Sequence, residues 1–149
     1  MRAGKKNLSN LREKGGKGLE VSGEWLEKSD MPWVFRDDAN HALESGNPFV
    51  VNLDSKGGEG THWTAAYLQL PQRTLYYADP FGTLLNGWPP RELADRADKQ
   101  VVNRIAWQHP STDLCGYYAY LFAKAMREIG DTHYSVKEFE ELLRDSLVG

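Results

Sequence analysis

One cysteine among 149 residues rules out a disulfide scaffold and a cysteine-rich zinc site. Nothing in that count points to a secretory route, and a reducing, intracellular setting is expected. Long hydrophobic runs are missing as well. No apolar stretch approaches the roughly 20 residues of a membrane span, and the N-terminus is too polar for a signal peptide, so no membrane partner is expected. The chain contains no His-Glu-x-x-His, no Cys-x-x-Cys and no Gly-x-x-x-x-Gly-Lys-Ser/Thr. Neither a catalytic metal nor a nucleotide site is expected, and no cofactor is implied.

What remains is ordinary for a globular chain: 40% hydrophobic and 26% charged residues, in a length that fits one domain. The net charge of -3 is unevenly spread. Residues 1–20 hold Arg2, Lys5, Lys6, Arg12, Lys14 and Lys17 against Glu13 and Glu20, or +4, so the rest carries -7. A basic, glycine-containing segment on an acidic body allows weak contact with nucleic acid. It lacks interleaved aromatics for base stacking, so residues 1–20 read first as a solvated, flexible arm. Residues 21–149 form the expected single domain.

Ser22 caps a short helix through Glu27, and Met31–Phe35 reads as extended. Asp37 or Asp38 opens a helix that Gly46 stops. Phe49–Leu53 has the β-branched content of a buried strand, and Asp54–Gly60 is a glycine-rich loop. His62–Leu70 and Thr74–Asp79, joined by Pro71–Arg73, read as a hairpin. A helix is expected from Pro89 or Pro90 to about Asp98, a strand over Val101–Trp107, and a central helix from Cys115 to about Ile129, ended by Gly130. Ser135 and Glu138 form a capping box before an amphipathic helix with Phe139, Leu142 and Leu143 on its inner face. The fold class is therefore α+β, a central mixed sheet flanked by helices with the Cys115 helix packed on it.

The chemistry centres on the stretch Gln108–Met126. A cysteine at a helix start meets the positive end of the macrodipole and unsatisfied backbone N–H groups, a setting that favours a thiolate nucleophile. Gly116 leaves the backbone beside the sulfur open to a carbonyl. His62, at the start of a strand after a flexible loop, is a candidate base, or else a structural histidine at a sheet edge. The hairpin brings Asp79 close to His62, where a carboxylate would hold the imidazole tautomer; Asp79-Pro80 also suits a simple turn. Gln108, seven residues before Cys115, can donate to an oxyanion together with the Cys115 N–H, or be a solvent-exposed loop residue. His109 competes with His62 for the role of base but lacks an evident carboxylate on a fixed strand. His41 and His133 read as surface residues, and Tyr117, Tyr118, Tyr120 and Phe122 as core aromatics.

Taken as an ordered set, His62-Trp63, Asp79, Gln108 and Cys115-Gly116 resemble the clan of cysteine proteases that includes the adenovirus endopeptidase (adenain) and the SUMO-specific proteases. The resemblance spans roughly residues 49–126, and GGEGTHW, ADPFG and the Gln-to-Cys spacing look nearer to the adenovirus type. It implies a papain-like core and a cysteine endopeptidase, viral in origin, that cleaves precursor proteins. In that scheme His62 is base, Asp79 orienter, Gln108 oxyanion donor and Cys115 nucleophile. Gly60, Trp63 and Gly116 line a narrow substrate channel, where the glycines favour small residues before the cleaved bond. Asp79 stands where the adenovirus enzyme has Glu, and the chain is shorter. No second cysteine exists to tether an activating peptide, so a nucleic-acid or peptide activator would act without a covalent link. Two alternatives stand beside this reading: an isopeptidase that deconjugates ubiquitin-like or SUMO-like proteins, and a non-catalytic binding module with a structural cysteine.

Overall fold

A computed structural model describes residues 21–53, 62–82, 89–107 and 114–148. The arm 1–20, the glycine-rich loop with Gly60, and Gln108 and His109 lie outside the described residues. Five strands form one mixed sheet in the order β1 (Trp33–Phe35), β2 (Phe49–Asn52), β3 (Trp63–Gln69), β4 (Thr74–Ala78) and β5 (Lys99–Val102). The outer pairs β1–β2 and β4–β5 are parallel, and the inner pairs β2–β3 and β3–β4 antiparallel. This is the expected α+β architecture.

Every residue of β3 and β4 is buried because helices cover the sheet on both sides. Strand alternation sorts the side chains into two cores. Val50, Ala65, Tyr67, Tyr76, Ala78 and Val101 face helices α4 (Cys115–Met126) and α5 (Val136–Val148). Val51, Ala66, Leu68, Leu75, Tyr77 and Val102 face α2 (Arg36–Ala42), the 3₁₀ turn Leu43–Ser45 and the short α3 (Arg91–Ala94). A slip of one residue would exchange the two sets, so double coverage fixes the register tightly.

Local signals end the elements as expected. Ser22 Oγ accepts from the Trp25 N–H at 3.1 Å before α1 (Gly23–Lys28). The capping box closes with Ser135 N–H donating to Glu138 Oε1 at 3.0 Å and Glu138 N–H to Ser135 Oγ at 3.2 Å. Phe139 and Leu143 bury the inner face of α5.

Several boundaries differ from expectation. The helix expected to open at Asp37 or Asp38 starts at Arg36, after Phe35 and with no side-chain cap hydrogen bond, and passes into the 3₁₀ turn at Leu43. The proline-led helix is a single turn at Arg91–Ala94. The central helix ends at Met126, and residues 127–130 form a turn. The last strand starts at Lys99, two residues early, and stops at Val102. The apolar text of VVNRIAW continues, but Asn103 turns its side chain to a neighbouring loop and Ile105 is 52% exposed. Among the described residues no helix is long and apolar enough to cross a membrane.

Candidate active site

Three elements converge at one end of the sheet. His62 precedes β3, and its carbonyl accepts from the Leu53 N–H at 2.8 Å, which ties it to the residue after β2. Asp79 follows β4. The ladder pairs Ala65 with Ala78, so continuing it sets Asp79 opposite Thr64, with His62 as its diagonal neighbour. Across that diagonal His62 Nε2 donates to Asp79 Oδ1 at 3.0 Å, with the two side chains only 13% and 1% exposed. Phe81 stacks on the imidazole with ring centroids 4.9 Å apart at 20°.

Asp79 is held through its backbone and Oδ1. Its N–H donates to Asn103 Oδ1 at 2.9 Å, and its carbonyl accepts from Asn103 Nδ2 at 2.7 Å and from the Gly82 N–H at 2.8 Å. Its Oδ1 also accepts from the Phe81 N–H at 2.8 Å, while Oδ2 is buried and without a hydrogen-bond partner. The turn closes against the segment after β5: Trp107 N–H donates to Pro80 O at 2.7 Å. Gly82 is required there. Its φ is +61°, and a Cβ would lie 2.6 Å from the Arg104 carbonyl oxygen.

Cys115 is the first residue of α4 and is buried. Leu114 at the N-cap makes no side-chain hydrogen bond to the first turn. The sulfur acts on the same imidazole as Asp79 and raises its pKa. That contact falls short of regular hydrogen-bond geometry: Nδ1, the ring nitrogen not engaged by Asp79, is buried and makes no such bond.

Burial works to lower the His62 pKa, since a charged ring is costly to desolvate. The hydrogen bond with Asp79, the neighbouring Cys115 sulfur and the charges of both outweigh it and raise the group from 6.5 to about 9. At neutral pH the ring is therefore an imidazolium, favoured by an amount of order 3 kcal/mol. Such a group can donate a proton to a leaving amine and then serve as base to a water molecule.

Two residues expected along a substrate channel are closely packed. Gly116 is buried, and a Cβ there would meet Val21 Cβ at 2.6 Å and Trp63 Cδ1 at 3.0 Å. The space beside it is filled, and the glycine is needed so that α4 can approach the start of β3. Trp63 is 7% exposed and packs edge-on against Trp33, with centroids 5.5 Å apart, as part of the core. Gln108 and Gly60 lie outside the described residues.

Sequence reasoning missed Asn103, Phe81 and Glu140. Glu140 on α5 accepts at Oε2 from the Arg104 and Ile105 N–H groups at 2.8 and 2.7 Å, which fixes the segment leading away from β5. The only hint of Asn103 was an amide inside an otherwise strand-like apolar run. Among the described residues no three His, Cys, Asp or Glu side chains gather as a metal site requires.

No family model and no curated protein matches the chain. Among solved structures it is similar to one described as "SUMO protease Ulp1 with the catalytic cysteine oxidized to a sulfonic acid", at a TM-score of 0.40 and 14% identity, covering 93% of this chain and 62% of that one. The chain thus spans less than two thirds of that structure. Likeness at this level carries no inference about activity.

Proposed function

We propose that the protein is a cysteine peptidase acting on a peptide or isopeptide bond of a protein substrate. The observation that carries this reading is the buried bond of 3.0 Å from His62 to Asp79 on an imidazole that also interacts with the sulfur of Cys115 at the start of α4. A structural histidine needs no second partner of that kind, and a structural cysteine needs no imidazolium.

In the proposed mechanism the Cys115 thiolate attacks the scissile carbonyl. The Cys115 N–H, with Gln108 as side-chain donor, stabilises the oxyanion, a contribution of about 3 kcal/mol per donor in known hydrolases. The tetrahedral intermediate expels the amine, which takes its proton from His62. The neutral imidazole then deprotonates water, which cleaves the thioester and restores the resting state. Asp79 keeps Nε2 engaged throughout, so that Nδ1 carries the exchange with sulfur and substrate. Precursor proteins, the substrates implied by the adenovirus resemblance, are the first to assay, and ubiquitin-like conjugates the second.

Profiling a peptide library with the wild-type chain and Cys115→Ala tests the reading. The expected result is cleavage by the wild type alone, with a thioester trapped on Cys115 at low pH. Cleavage that survives in Cys115→Ala, or a biological effect fully retained by it, would assign the cysteine to structure. Efficient capture of a ubiquitin-like aldehyde would narrow the substrate to isopeptide conjugates.

A further inference from the structure

We propose that Asn103 is a positioning residue of this site: by closing on the backbone of Asp79 from both sides, its carboxamide fixes the carboxylate that orients His62. The proposal rests on the peptidase reading and extends it to a residue that touches neither substrate nor sulfur.

Asn103 is fully buried and makes three hydrogen bonds. Oδ1 accepts from the Asp79 N–H at 2.9 Å, and Nδ2 donates to the Asp79 carbonyl at 2.7 Å and to the Ile105 carbonyl at 3.1 Å. The other ties on Asp79 are the Oδ1 bond with His62, the group to be oriented, and the turn bonds from Phe81 and Gly82 within three residues. The turn bonds travel with the turn. Asn103, 24 residues away and just past β5, ties Asp79 itself to the neighbouring strand, beside the Trp107 N–H bond to Pro80 O one residue further on.

The amide is itself held in place. Its bond to Ile105 sets its rotamer, and Glu140 pins the Arg104 and Ile105 N–H groups to α5. A continuous path therefore runs from α5 through Asn103 to Asp79 and His62. A buried asparagine serving the fold alone could close any loop. This one closes on the residue that binds the imidazole, where a displacement of about 1 Å would forfeit the productive geometry.

The test compares Asn103→Ala and the milder Asn103→Ser with Leu143→Ala, a truncation of a fully buried core residue on α5. The readouts are the His62 titration by NMR, with kcat and KM on a cleaved peptide per folded molecule. Asp79 and Cys115 are the ionisable groups acting on His62, so loosening Asp79 should move the titration down from about 9, by roughly one unit. We expect kcat to fall about tenfold with KM near that of the wild type, and Asn103→Ser to recover part of both. Leu143→Ala should lose stability and leave the titration in place. Unchanged titration and kcat in folded Asn103 variants would overturn the proposal. Failure of both Asn103 variants to fold would also overturn it, assigning the residue to the fold. A wild-type chain inert to every substrate defeats the peptidase reading instead, and still leaves the effect of Asn103 on the His62 titration measurable.

Discussion

The two ends of the sheet use the same device for different purposes. At the end away from the site, Gln69 is 1% exposed, and its Nε2 donates to the Gly130 and Thr132 carbonyls at 2.8 and 3.1 Å. That amide seals the last residue of β3 to the turn after α4. At the site end, Asn103 captures backbone in the same manner, but the captured residue carries a buried carboxylate bonded to an imidazole. A buried amide that captures a loop is thus not itself a functional signal. What it captures decides whether its loss costs stability alone or chemistry too.

The sharpest way to break this contrast is at Asp79. Asp79→Asn keeps the shape and removes the charge, so the His62 titration should fall toward 6.5 and hydrolysis should drop about 10²–10⁴-fold. Steady-state assays with matched NMR titrations would show it, and an active variant would dissolve the difference between the two ends.

A smaller effect belongs to pH. The folded-state pKa of His62 lies above its unfolded value, at about 9 against 6.5. The stabilisation it brings is therefore complete below pH 6.5 and disappears as pH rises through about 9. Urea melts from pH 6 to 10 should show that decline in the wild type and a flatter course in His62→Ala. Hydrolysis should fall on the same alkaline limb, because the leaving amine loses its acid.

The smallest effect on activity is expected at the far end. Gln69→Ala leaves two carbonyls without their donor and should cost about 1–3 kcal/mol in urea melts. The rate per folded molecule should be unchanged. A fall in kcat there would mean that the two ends are coupled.

Much of this architecture was legible in the sequence. Two strand-like runs and a short turn made the β3–β4 hairpin readable, and its register alone brings Asp79 within reach of His62. The capping box, Ser22 and the single cysteine at a helix start were equally local signals. The end of β5 was not legible, because apolar composition continues past Asn103 while the ladder stops for a long-range amide contact. The close packing around Gly116 was not legible for a related reason. A glycine beside a cysteine looks like open space, and only the tertiary approach of Val21 and Trp63 shows that the space is occupied. Local patterns announce elements and their ends, whereas contacts across tens of residues leave no mark on the text between them.

The claim on which the rest depends is that His62 activates Cys115. The alkylation rate of Cys115 by iodoacetamide, followed by mass spectrometry near neutral pH in the wild type and in folded His62→Ala, tests it directly. The account predicts labelling about tenfold or more faster in the wild type, with a rate that depends on the imidazole. Slow labelling at equal rates in both proteins would contradict it and leave Cys115 as a buried structural thiol.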